Sequence, residues 1–402
     1  MKYTMEDVKN YIREEDVKFI RLAFCDVYGT QKNISVMPDE IDRAFTTGVA
    51  FDASAIKGFG DEAHSDLFLC PDPATLAVFP WRPEHGRVVR MFCSIKRPDG
   101  SLFENDTRSL LRKAVATATE KGISFSFGAE MEFYLFLCDE NGEPTQIPYD
   151  KAGYMDIAPK DKGENVRREI CLTLEQMGFH PEASHHEEGP GQNEIDFRYS
   201  DPLGAADDTV TFRSVVRTIA AGNGLYADFS PKPLPDKPGN GFHINFSAKK
   251  EDGTDVTMPA AAGVLDNVAA MTLFLNPSEK SYARFGKSKA PRYISWSEQN
   301  RSPLIRIPAA QGEYRRAELR SPDSETNPYL AFTLMIYAGL EGIENQKELP
   351  PAADFNLFTA TQEQLSRFAV LPQSLLEARQ TAVSSGFIKA NLPVSLTDSY
   401  LL

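Results

Sequence analysis

Apolar and polar residues alternate strictly in several stretches of the chain, and each alternation places its polar side chains on one face of a strand. The run Gly128-Ala129-Glu130-Met131-Glu132-Phe133-Tyr134-Leu135-Phe136 is aromatic and apolar except for two glutamates two residues apart. Successive strand side chains point to opposite faces, so both carboxylates point the same way. In residues 194–198, Glu194, Asp196 and Arg198 alternate with Ile195 and Phe197; in residues 242–247, His243, Asn245 and Ser247 alternate with Phe242, Ile244 and Phe246. Residues 300–308 and 314–320 read as two more extended pieces, the second placing Arg316, Glu318 and Arg320 on one face.

Ahead of these strands, residues 18–24, 31–36, 75–79 and 87–95 predict a small sheet-rich N-terminal domain ending at the Pro98-Asp99-Gly100 turn. Asp39 reads as the N-cap of a short helix. The segment holding residues 51–56 and Ser65-Asp66 reads as an irregular loop.

A helix opens at Asp106, with Leu110, Leu111, Ala114, Val115 and Ala118 on one face and Gly122 at its end. A second spans 165–177, stopped by Gly178, and a loop through His185-His186 leads to the strand of Glu194. Helices at 207–221 and 259–275 flank a Pro/Gly-rich loop over 231–240, and a loop with Arg284, Gly286 and Lys289 follows. Asn327 caps a helix over 329–340 with Pro328 at its first position, and two short helical patterns lie near 361–369 and 373–384.

Composition narrows the partners. With 57 Asp and Glu against 43 Lys and Arg, the net charge of -14 disfavours nucleic acid and anionic membrane as partners. The five cysteines are dispersed without a C-x-x-C pair, which points to neither a disulfide framework nor a zinc cluster but to a reducing compartment. No apolar run approaches the ~18 residues of a membrane span and no signal core opens the chain, so a cytoplasmic protein is expected.

The polar strand faces together supply Glu130, Glu132, Glu187, Glu194, His243 and Glu318, with Arg301, Arg306, Arg316 and Arg320. Singly, each has a commonplace reading as an edge-strand pair, a hydrogen-bonded core histidine or a solvated cation. Collectively, carboxylates and one imidazole without thiolate are a ligand set for a hard cation, Mg²⁺ or Mn²⁺. Arginines beside such ions suit phosphoryl transfer, where positioning and charge neutralisation do most of the work. No Walker or G-x-G-x-x-G loop is present to hold a nucleotide.

These motifs resemble bacterial type I glutamine synthetase over nearly the whole chain. The resemblance is carried by Phe51-Asp52-Ala53-Ser54-Ala55-Ile56 with Ser65-Asp66, and by residues 128–133, 185–196, 239–245, 300–308, 316–323 and 327–331, in the family's order and spacing. It implies an α+β protein: an N-terminal β-grasp-like domain over 1–102 and a catalytic domain over 103–402, an antiparallel open barrel with surrounding helices. It implies two or more metal ions, with Glu132, Glu187 and Glu194 holding one and Glu130, His243 and Glu318 another.

It further implies ATP as co-substrate, Arg301 and Arg306 on the transferred phosphate, and Asn245, Ser247 and Arg316 toward the nucleotide. Arg284 and Arg320, with Gly239, would contact the amino-acid substrate, and Asp52 would act as general base from a neighbouring subunit of a hexamer or dodecamer. The implied reaction joins ammonia to glutamate through an acyl phosphate. A ligase for another acid or amine, or a nucleotide-binding regulator, fits the same residues. Three departures are visible: Lys289 stands where the family has a flap glutamate, Pro238 replaces a loop asparagine, and Phe358 replaces a modifiable tyrosine.

Overall fold

The computed structural model describes residues 3–82, 85–310, 312 and 315–402. Tyr314, read above as part of an extended piece, lies outside them. Six N-terminal strands, β1 (Val17–Cys25), β2 (Gln31–Val36), β3 (Val49–Asp52), β4 (Asp66–Pro71), β5 (Ala77–Val78) and β6 (Arg87–Lys96), form one sheet in the order β2-β1-β6-β4-β3, with β5 on β6. β1 and β6 run parallel at its centre while the other pairs are antiparallel.

The segment read as an irregular loop contributes two of these strands: β3 pairs with β4 through Asp52↔Asp66, and Phe51 packs 5.1 Å from Phe24. A four-residue strand carries too little alternation to be seen without its partner. Asp39 is not a cap; it sits inside a 3-10 turn, Pro38–Glu40, that runs into the helix Ile41–Thr46.

The second sheet contains β7 (Ile123–Cys138), β8 (Pro144–Pro148), β9 (Pro181–His186), β10 (Gln192–Phe197), β11 (Leu225–Asp228), β12 (Phe242–Lys250), β13 (Trp296–Glu298), β14 (Ile305–Ile307) and β15 (Ala317–Leu319). Their order is β13-β14-β15-β12-β7-β10-β9, with β8 and β11 pairing β7. Pairing is antiparallel except for β13 and β14. His185 and His186 end strand β9 rather than lying in a loop, because their backbone pairs with Glu194 and Asn193.

Helices cover the apolar face. The helix at 207–221 begins earlier, at Pro202, because the Asp201 carboxylate accepts the Gly204 N–H and Pro202 has no N–H to satisfy. The helix Thr257–Leu275 is long and apolar enough to cross a bilayer, yet about two thirds of it is buried within the protein. It packs on the helix Pro328–Glu344 so closely that a Cβ at Gly263 would lie 2.0 Å from the Ala338 carbonyl oxygen. Beneath them Phe127 stacks on Phe332 at 4.3 Å, with the rings nearly parallel. The apolar face is thereby filled, and the polar side chains are left to the other face.

Candidate functional site

Strand register brings the polar side chains into rows. Asp196, Glu130 and His243 lie side by side across β10, β7 and β12; His185, Glu194 and Glu132 across β9, β10 and β7; Asn245, Glu318 and Arg306 across β12, β15 and β14. All of these except Asn245 and Glu318 line a cavity of about 440 Å³, together with Arg284, Lys289, Arg301, Arg316 and Arg320. Carboxylates are concentrated on one wall and guanidinium groups on the other.

The acidic wall carries more negative charge than its surroundings satisfy. His185 Nε2 stands 3.1 Å from a Glu187 oxygen and 3.4 Å from a Glu194 oxygen, and His243 Nδ1 is 3.4 Å from Glu130 and 3.7 Å from Glu318. Burial, with Glu132, Asp196 and other carboxylates nearby, pushes the Glu194 carboxyl well above its ordinary range. Asp196 is pushed to about 7 by burial and the neighbouring Glu130.

Glu132 is raised by burial, with Glu187 adding to it, although its carboxylate accepts the Gly241 N–H at 2.8 Å and the Gln192 amide at 3.0 Å. Glu130 goes the other way: burial is overcome by His243, Asn245 and Arg316, which hold it at about 2. Ligand atoms of Glu130, Glu194 and His243 lie within 4.8 Å of one another, as do those of His185, Glu187 and Glu194. Carboxyls that retain protons for want of positive charge, beside imidazoles and without thiolate, fit a pair of hard divalent cations.

The basic wall is braced from beneath. The Glu318 carboxylate, fully buried, accepts Arg306 at 2.7 Å and Arg320 at 3.1 Å. Arg320 also reaches the Arg301 carbonyl. Arg316 donates to Asn245 at 3.0 Å, and Asn245 donates to Glu130 at 2.7 Å, linking the two walls. Arg284, 3 % exposed, is held by the carbonyls of Ser321 and Pro322. Gly239 is required beside it: a Cβ there would come within 2.3 Å of the Pro231 carbonyl and 2.7 Å of the Arg284 chain.

The comparisons match this architecture along its whole length. Residues 16–98 match the family model of the glutamine synthetase β-grasp domain, and residues 104–402 that of the glutamine synthetase catalytic domain. The chain belongs to the glutamine synthetase family. The glutamine synthetase of Clostridium saccharobutylicum is 44% identical over 94% of this chain and 88% of its own, and that of Methanosarcina mazei 43% identical over 99% and 92%. A solved structure described as a GmaS/ADP complex superposes with a TM-score of 0.89 at 27% identity, covering 98% of this chain and 94% of that one. Apo GmaS superposes with 0.88 at the same identity and coverage.

Most residues implied by the family resemblance converge on the cavity, but four do not line it: Asp52, Ser247 and the buried Asn245 and Glu318. Asp52 is exposed on β3, where its carboxylate accepts from the Ser54 amide and hydroxyl. Ser247 lies farther along β12, opposite Ser126. Other lining residues went unpredicted: His185, Gln192 and Tyr154. Asp196, seen in its strand alternation, was given no role. For His185 the signal was present in the doublet His185-His186, but its strand could not be recognised from so polar a stretch. Pro238 uses its backbone, its carbonyl accepting the Tyr134 hydroxyl at 2.7 Å.

Proposed function

We propose that this chain is a glutamine synthetase, an ATP-dependent ligase that joins ammonia to the side-chain carboxylate of glutamate through an acyl phosphate. The observation that carries the reading is the facing of an unneutralised carboxylate and histidine wall against arginines in one cavity. Two Mg²⁺ or Mn²⁺ ions would be held by Glu132, Glu187 and Glu194 and by Glu130, His243 and Glu318, with His185 beside the first set. Bound there, the ions would neutralise phosphate charge and polarise the γ-phosphoryl group.

The chain's own residues do the rest. Arg301 and Arg306 face the transferred phosphoryl group and stabilise the charge spread over its oxygens. Arg284 and Arg320, with Gly239 keeping the backbone close, hold the carboxylates of the amino acid. Asn245, Ser247 and Arg316 face the nucleotide, in line with the ADP complex among the solved relatives. Asp52, kept ionised by the Ser54 hydroxyl and amide, takes the general-base role toward ammonium that the family resemblance implies. Asp52 does not line its own chain's cavity, and by the family resemblance it serves that of a neighbouring subunit in a hexamer or dodecamer.

Lys289 favours a second reading, a ligase for a larger amine, since a cation at the cavity repels ammonium. Its ammonium pairs with Glu188 and stands 5.4 Å from the Tyr154 ring centroid, so its field inside the cavity is partly cancelled. That pairing keeps ammonium as the preferred amine. Phosphate release from Mg-ATP with glutamate tests both readings: turnover with ammonium supports the synthetase, and turnover only with alkylamines overturns it. Mixing Asp52→Ala with Glu132→Ala oligomers tests the shared site. Exchange of subunits should restore activity, and no recovery in verified hybrids would exclude it.

A further inference from the structure

A second cavity, of about 560 Å³, lies where the N-terminal sheet meets the helix Pro202–Gly222. Three guanidinium groups line it: Arg21 from β1, and Arg213 and Arg217 one helical turn apart. Among the described residues none of the three has a carboxylate within ion-pair distance, in a protein whose acids outnumber its bases by 14. Arg213 is 7 % exposed; its terminal nitrogen donates to the Thr326 carbonyl at 2.6 Å, but its Nε has no partner. Burial, with Arg217 alongside, lowers the Arg213 guanidinium to about 10.

The lining carboxylate, Glu325, is itself raised by burial and by Asp323, and it stands beyond ion-pair distance of the three arginines. Thr30, Ser214 and Ser278 add hydroxyl donors around the arginines. An uncompensated buried guanidinium is costly, and a bound anion relieves that cost.

We propose that this cavity is a second ligand site, which binds a small multivalent oxyanion, a dicarboxylate or a phosphate, through Arg21, Arg213 and Arg217. The segment Asp323-Ser324, which bonds toward both cavities, gives it a route to the reaction. Ser324 lines the second cavity and donates to the backbone carbonyls of Glu132 and Gly241, each at 2.9 Å. Next to it, Asp323 lies 3.8 Å from Arg284, which lines the catalytic cavity. An anion drawn toward Arg213 and Glu325 therefore bears on the segment that sets Glu132, and its binding shifts the affinity for the amino-acid substrate.

Isothermal titration of the assembled enzyme with succinate, and separately with inorganic phosphate, tests the site, and the tighter of the two identifies the ligand class. Arg217 is exposed, so Arg217→Gln should fold normally and weaken binding by about tenfold or more, as loss of one charge-assisted contact implies. Arg213→Gln should do the same. Arg306→Gln, which disables the catalytic arginine wall, should leave this binding within about twofold.

Affinity retained in Arg217→Gln, loss only in Arg306→Gln, or no binding by about 10 mM overturns the proposal. The coupling rests on the ligase reading and has its own readout: saturating anion should shift the KM for glutamate in the wild type and not in Arg217→Gln. Binding without that shift overturns the coupling while leaving the site in place, and failure of the ligase reading leaves the titration intact.

Discussion

Two groups of acids and histidines sit next to each other in the chain, and they differ in whether their charge is met. On one side of β9, His186 bonds Asp150 at 2.9 Å and the Glu187 carbonyl at 2.6 Å, while Asp161 is locked to Arg167 and to the Gly163 N–H. There burial is overcome by His186, which holds the Asp150 carboxyl at about 2. On the other side His185 faces Glu187 and Glu194, where the Glu194 carboxyl is pushed far up and Asp196 to about 7. Both groups bring potential metal ligands within reach of one another. What distinguishes a candidate site from a structural cluster is unmet charge, rather than residue type.

The contrast can be broken most severely at Glu132. Glu132→Ala should cut phosphate release from Mg-ATP by more than about 100-fold, since it removes a proposed ion ligand and the acceptor of the Gly241 N–H; near-normal turnover would refute the placement. The paired histidines come next. His186→Ala breaks a buried pair and should cost about 3 kcal/mol of stability in denaturant unfolding, with Mn²⁺ affinity per folded chain kept. His185→Gln should reverse that outcome, weakening Mn²⁺ binding by about tenfold while metal-free stability holds. Equal effects of the two variants would abolish the distinction.

A cation-free sample sharpens it further. Asp196 binds its proton more tightly folded than unfolded, so between pH about 4 and 7 the folded chain carries the extra proton and stability falls as pH rises. Mg²⁺ at 100 times its Kd should return about 2.7 kcal/mol near pH 7. A thermal scan in which Mg²⁺ stabilises equally at pH 5 and pH 7.5 would contradict this. The smallest effect belongs to Lys289→Glu, which should lower the KM for ammonium by about two- to fivefold, the scale of an exposed ion pair. An unchanged KM would remove Lys289 from any role in amine choice.

The strands bearing the site were largely legible because alternation with period two is a local property. The positions Glu130/Glu132, His243/Asn245 and Glu318 fall on polar faces as read, and the helix over 259–275 begins two residues early, at Thr257. Short or polar strands were not legible: β3, β4, β8, β9 and β11 exist because their backbone pairs with another strand, outside the reach of local pattern. His185 was missed with its strand.

Residue type and spacing alone thus determined the chemistry available: an acid-rich chain with carboxylates and an imidazole on strand faces, arginines following, and no thiolate cluster or phosphate loop. Tertiary structure decided which of those groups lack a counter-charge. Register sets Glu194 against Glu132 and Asp196 against Glu130, and burial together with that crowding raises their carboxyls. It also sends one histidine of a doublet to the core and the other to the cavity, and it leaves Arg213 buried without a partner for its Nε. Electrostatic need depends on distances between strands remote in sequence, which no local pattern encodes.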